Sequence, residues 1–104
     1  MAKYDFSLLF DQYPTIIEQL PNIFTSHQFI LKLAQQNQNR YIEALNAYRS
    51  NDDGEAHAPF MTVHGILAKR LNSYPELIEI IRNDAPSKDI FGHPSKCALW
   101  RKLI

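Results

Sequence analysis

The sequence predicts an all-α protein, a compact orthogonal bundle of about five helices. Two segments carry the start signal of a helix, a Ser or Thr followed three residues later by Gln or Glu. The pairs are Thr25 with Gln28 and Ser73 with Glu76. Apolar and polar residues alternate nowhere over more than a few positions, so no β-strand is predicted.

The size and composition predict a single globular domain, 1–104. The chain has 104 residues, of which 45% are hydrophobic and 21% charged, as in ordinary folded domains. A domain of this size also occurs as one unit of larger proteins. One cysteine excludes an internal disulfide and favours a reducing, cytoplasmic location. No segment approaches the roughly 18 apolar residues of a membrane span, so no membrane partner is expected.

The N-terminal half is expected to form two short helices and one long one. Pro14 suits the first turn of a helix and Pro21 ends it. The long helix is expected to cover 26–49 without interruption; the alternative is a break near Asn37, which lies on its apolar stripe. That stripe comprises Ile30, Leu33, Ala34, Tyr41, Ala44, Leu45 and Tyr48.

Three further helices are predicted in the C-terminal half. A loop at 50–59 precedes a helix at 60–71, and a second helix runs from Ser73 to about 83. A loop then reaches Pro94, with a turn at Gly92, and Ser95 caps a final helix. The core is expected to include Leu33, Leu45, Leu67 and Ile81.

The two helices at 60–83 form a corner with a known pattern. Ala68 lies in the first helix, Asn72 follows at the turn, and Ile78 and Ile81 are spaced to pack back. This segment resembles the helix-turn-helix template, which implies that its second helix enters the DNA major groove. That helix carries Glu79 and begins near Glu76, which phosphates would repel. A plain helical corner is the alternative.

Positive charge is concentrated after residue 59. Residues 1–59 carry four basic and seven acidic side chains, whereas residues 60–104 carry seven basic and four acidic ones. Cations of the second group are candidate phosphate contacts; cations near a helix C-terminus also occur simply because they stabilise the helix dipole. The candidate nucleic-acid-binding residues are Lys69, Arg70, Lys88, Lys96, Arg101 and Lys102.

Metal, cofactor and catalytic sites are not expected. His93 and Cys97 are spaced i, i+4, and His57 and His64 could join them as ligands, but no second ligand pair of a zinc motif is present. No phosphate-binding glycine loop or catalytic motif occurs, so an enzyme is not predicted. His64 is expected to hydrogen-bond a backbone group or a tyrosine. Gly65 is expected to allow two helices to approach closely.

These observations predict a small, non-enzymatic intracellular helical domain with a role in helix-turn-helix-like DNA binding or in regulation. The alternative is a protein-interaction or homodimerisation module with no nucleic-acid role. Its interface would use apolar residues of the 6–10 segment or of the 26–49 helix. Salt-dependent binding would favour the first hypothesis.

Overall fold

The fold is α+β, with helices packed on a three-stranded antiparallel sheet, so the all-α prediction is wrong. The computed structural model describes residues 4–48 and 59–103. Its elements are α1 (Ser7–Phe10), α2 (Tyr13–Gln19), β1 (Ile23–Thr25), α3 (Ser26–Gln36), α4 (Gln38–Ala47), α5 (Pro59–Arg70), a 3-10 helix (Leu71–Ser73), β2 (Ile78–Lys88) and β3 (Pro94–Lys102).

The two short N-terminal helices are confirmed as α1 and α2. Pro14 lies in the first turn of α2, where its missing N–H costs no hydrogen bond. Leu9 and Ile16 are fully buried. The hydroxyl of Tyr13 donates a hydrogen bond of 2.6 Å to the carbonyl of Leu67, which ties α2 to α5.

The long helix predicted at 26–49 is wrong, because it is two helices that meet at Asn37. The capping box at its start is confirmed: Thr25 and Gln28 each accept a hydrogen bond from the other's backbone N–H. Asn37 has φ −136° and ψ 49°, outside the helical region. Its side-chain amide donates to the carbonyl of Leu33. An amide side chain that competes for backbone groups favours such a break.

The helix predicted at 60–71 is present as α5, which continues into the 3-10 helix. Val63, Leu67 and Leu71 form its buried face. The loop predicted at 50–59 lies outside the described residues except for Pro59, which begins α5.

The helix-turn-helix-like corner predicted at 60–83 is wrong, because its second half is β2. Ser73 ends the 3-10 helix and caps no α-helix. The short apolar run after it fits a strand as well as a helix by periodicity alone. Its β-branched residues favour the strand. Pairing with β3 stabilises it further, since Ile78 lies opposite Lys102 and Ile80 opposite Trp100.

The final helix predicted after Ser95 is also wrong, because this segment is β3. The loop predicted at 84–94 instead contains the end of β2 and a tight turn. The turn at Gly92 is confirmed, with a φ of 84° that favours glycine. The Asp89 carboxylate fixes the turn by accepting the backbone N–H groups of Phe91 and His93, at 2.9 and 3.0 Å.

β3 is the central strand, and the sheet order is β1-β3-β2. Trp100 of β3 pairs with Phe24 of β1 on one side and with Ile80 of β2 on the other. Its buried indole N–H donates a 2.9 Å hydrogen bond to the hydroxyl of Ser26. The register of β2 against β3 shifts twice, between Ile80 and Arg82 and between Arg82 and Ala85.

One hydrophobic core lies between the helices and the sheet. Leu33 and Leu67 are buried there, as predicted, and Leu45 is partly buried against it. The prediction for Ile81 is wrong: it lies in β2 and is 40% exposed. The buried core residues are Phe6, Leu9, Tyr13, Ile16, Ile17, Phe24, Phe29, Ile30, Leu33, Ala44, Val63, Leu67, Leu71, Ile78 and Trp100.

We expect Leu67→Ala to lower the free energy of unfolding by about 2–5 kcal/mol, because it leaves a cavity in this core. Ile81→Thr serves as the control, since threonine keeps the β-branched shape at an exposed strand position. It should cost less than about 1 kcal/mol. Urea denaturation measures both, and equal losses in the two variants would contradict this assignment of the core.

Candidate functional site

A groove of about 400 Å³ lies between α5 and the inner side of the β2–β3 hairpin. His64, Gly65 and Lys69 line it from α5, where i, i+1 and i+5 share one side of the helix. Asn72 of the 3-10 helix extends this wall. The opposite face of α5 packs in the hydrophobic core, so this wall of the groove is fixed in place.

The strands form the other wall of the groove. Lys96 and Trp100 line it from β3, whereas Ile80 and Asn83 line it from β2. Ile80 and Asn83 are three residues apart, so regular strand alternation would point them to opposite faces. The register shift between Ile80 and Arg82 re-aims the strand and brings both to the groove.

The start of α3 forms the floor and holds the hairpin over it. Ser26 and His27 line the groove there. The Nδ1 atom of His27 lies 3.2 Å from the hydroxyl of Ser87 in β2. This contact fixes the outer half of the hairpin against α3.

Aromatic contacts join the end of the hairpin to the start of α5. The rings of Phe91 and Phe60 meet edge to face, with centroids 4.7 Å apart. The Phe60 ring also lies 5.8 Å from that of His64. Both phenylalanines keep more than a third of their surface exposed, so they form an exposed apolar pair where the hairpin meets α5.

His64 contacts a tyrosine, which is one of the two kinds of partner that the sequence predicts. The hydroxyl of Tyr41 lies 2.5 Å from its Nε2 atom, and the two rings stack with centroids 5.7 Å apart. Burial lowers the pKa of His64 and the nearby His27 lowers it further, whereas Asp89 opposes both. Burial also raises the pKa of Tyr41 to about 12. The pair is therefore neutral near pH 7.

The groove has a positive electrostatic character. Its described lining contains two lysines, two histidines and two asparagines but no aspartate or glutamate. Asp89 lies outside this lining and carries a negative charge, because the backbone N–H groups of His93 and Phe91 hold the pKa of its carboxyl below the usual range. A concave surface lined by one sign of charge concentrates oppositely charged ligands.

Two of the six candidate nucleic-acid-binding residues meet in this groove. Lys69 lines it from α5 and Lys96 from β3. Lys88 lies outside the lining, exposed at the end of β2 in the same hairpin.

The other three candidates are engaged by the protein itself. The Arg70 guanidinium lies 4.4 Å from the centroid of the Phe10 ring. Arg101 forms a 2.6 Å ion pair with Glu79. The Lys102 ammonium donates to the carbonyls of Glu18 and Leu20, at 3.2 and 2.9 Å.

Four polar residues of the lining, Ser26, His27, Asn72 and Asn83, are not among the sequence-based candidates. His27 and Asn83 stand in segments where no pattern marks them, and Asn72 was interpreted only as a turn residue. The two asparagines reach the groove through the 3-10 helix and a strand irregularity. Neither feature has a signal in the sequence.

The described residues contain no group of three or more His, Cys, Asp or Glu side chains that could hold a metal ion. Cys97 lies in β3, and His93 directly precedes that strand. Cys97 is a free, half-buried thiol beside the groove. The absence of a catalytic role and of a cofactor stays a prediction.

The expectation that Gly65 allows two helices to approach closely is wrong. A side-chain carbon added there would meet nothing within 4 Å, because Gly65 faces the open groove. The missing side chain widens the groove instead.

The chain matches no family model, and neither a curated protein nor a solved structure is significantly similar to it. Within residues 4–48 and 59–103, no helix is long and apolar enough to cross a membrane.

We expect acidification to destabilise the fold through His64. The contribution of a neutral His64 to the free energy of unfolding is fully present above its ordinary pKa of 6.5. It is lost as the pH falls toward the lower pKa of the folded state, because the unfolded chain takes up the proton first. His64→Gln should flatten this pH dependence in denaturant titrations between about pH 7 and 5. Parallel curves for the two proteins would contradict the assignment.

We expect Gly65→Ala to raise the free energy of unfolding by about 0.5–1 kcal/mol, because alanine favours a helix and meets no neighbour. Gly92→Ala is the matched control and should destabilise, since φ at Gly92 is 84°. Thermal melting compares the two variants. A loss of stability in Gly65→Ala would show that space at this position is needed.

Proposed function

We propose that the protein binds double-stranded DNA as a winged-helix domain, with α5 in the major groove and the β2–β3 hairpin against the adjacent backbone. The observation that carries this proposal is the topology. A helix (α2) precedes β1, helices α3 and α5 pack on each other, and a hairpin follows. The sheet order is β1-β3-β2. This is the order of elements in winged-helix domains, from which the chain departs by having α4 and residues 48–58 between α3 and α5.

The length and the exposed face of α5 support this role. Twelve residues make a helix about 18 Å long, enough to cross a major groove about 12 Å wide. Met61, Gly65 and Lys69 recur at intervals of four on its exposed face, while Val63 and Leu67 anchor the opposite face in the core. A helix held in this way presents a rigid surface.

The distribution of charge also supports the proposal. Lys69 on α5 and Lys88 and Lys96 on the hairpin are exposed, and they flank the groove from both sides. The two carboxylates that weigh against DNA binding by the predicted corner are not on α5. Glu79 is paired with Arg101 in the sheet, and Glu76 precedes β2.

Protein interaction stays the alternative hypothesis. The segments expected to supply its interface place most of their large apolar residues in the core, including Phe6, Leu9, Ile30 and Leu33. Exposed members such as Leu8 and Ile42 remain for such an interface. The DNA-binding proposal draws more support, since it accounts for the hairpin and the groove together.

We expect binding to a DNA duplex to weaken by about 40-fold between about 50 and 200 mM salt, because three lysine–phosphate contacts give a logarithmic slope of about −2.7. Lys69→Ala should reduce that slope by about 1. Fluorescence anisotropy with a labelled duplex measures both.

Arg40→Ala is the matched control for this experiment. It removes one positive charge from α4, where Arg40 is exposed and lines a separate groove, so the slope should be unchanged. An equal effect of Lys69→Ala and Arg40→Ala would mean that only net charge matters. No binding at low salt would refute the proposal and favour the protein-interaction hypothesis.

A further inference from the structure

We infer that the groove is a binding site for a phosphate group, which a DNA backbone supplies in the complex and which a free phosphate compound can supply in its place. The DNA part of this inference rests on the proposed function. The site itself rests on the groove.

The strongest observation is that two unpaired cations, Lys69 of α5 and Lys96 of β3, line the same groove from different elements. Among the described residues, neither Lys69 nor Lys96 has a hydrogen-bond or ion-pair partner for its ammonium group. Arg101 and Lys102, in the same strand as Lys96, are held by a carboxylate and by two carbonyls. Unpaired ammonium groups on facing walls suit a multiply charged oxyanion.

Neutral hydrogen-bond donors line the groove together with the two lysines. The amide of Asn83 also has no partner within the described chain, and it lines the groove from β2. His27 brings an imidazole from the floor. Phosphate oxygens accept several hydrogen bonds at once, so a site with charged and neutral donors on different elements matches this group.

The shape of the groove admits more than a bare ion. Its volume of about 400 Å³ falls in the range of sites for small molecules. Ile30, Ala68 and Ala98 give it an apolar portion, and Gly65 leaves the α5 wall open. A phosphate attached to a sugar can therefore place its ring against apolar side chains while the lysines hold its oxygens.

The consequence is competition between free phosphate compounds and DNA. Both would use Lys69 and Lys96, whereas Lys88 outside the groove contacts DNA alone. A compound present at ten times its own Kd should therefore raise the apparent Kd for DNA by about tenfold.

The test uses the whole protein, labelled with ¹⁵N, and sodium pyrophosphate as the probe. Sodium chloride of equal ionic strength is the control. We expect pyrophosphate to shift the backbone signals of Gly65, Lys69, Asn83 and Lys96 in saturable fashion, and chloride to leave them in place. The double variant Lys69→Met with Lys96→Met should weaken pyrophosphate binding at least tenfold, since each lysine forms a charged hydrogen bond. Lys88→Met should leave it unchanged.

The outcomes of these titrations distinguish failure of the phosphate site from failure of the proposed DNA binding. If pyrophosphate shifts the groove signals no more than chloride does, the inference is overturned, even when DNA still binds. If pyrophosphate binds and DNA does not, the phosphate site stands and the DNA-binding proposal fails. If DNA and pyrophosphate bind together without competition, the shared use of the groove is refuted. Should the double variant not fold, the wild-type titration and Lys69→Met alone decide.

Discussion

The pairing of Trp100 with its neighbours is the constraint on which the rest of the structure depends. This one residue lies opposite Phe24 in β1 and Ile80 in β2, and its indole N–H reaches the hydroxyl of Ser26 at the start of α3. A buried N–H without an acceptor would be costly. The hydrogen bond therefore fixes α3 relative to the sheet and sets where the floor of the groove lies.

The irregular register of the hairpin gives the groove its second wall. A regular strand would turn Asn83 away from the face that carries Ile80. The shift between them lets one strand contribute both an apolar and a polar residue to the groove. Contacts of Ser87 with His27 and of Phe91 with Phe60 then hold the outer hairpin above α3 and α5.

The structure also separates cations that stabilise the fold from cations that are free to bind. Arg70 covers the Phe10 ring, Arg101 neutralises Glu79, and Lys102 satisfies carbonyl groups near the end of α2. Such groups are already committed to intramolecular partners. Lys69 and Lys96 are not, and their convergence gives the groove a chemistry that a count of charges along the chain does not reveal.

The sequence by itself determined the features that depend on neighbouring residues. These include the capping box at Thr25, the turn at Gly92 and the buried face of α5. Two of the six candidate cations, Lys69 and Lys96, also lie together. Tertiary structure alone decided that the segment after Leu77 is a strand and not a helix. The sheet and the groove both depend on that choice. The apolar residues of this segment suit a helix or a strand locally, and the choice was made by pairing with β3 and by the packing of Trp100. Ile78 lies opposite Lys102 and Ile80 opposite Trp100, 24 and 20 residues away. Contacts at such separations leave no period in the sequence, because a period reflects only neighbouring residues.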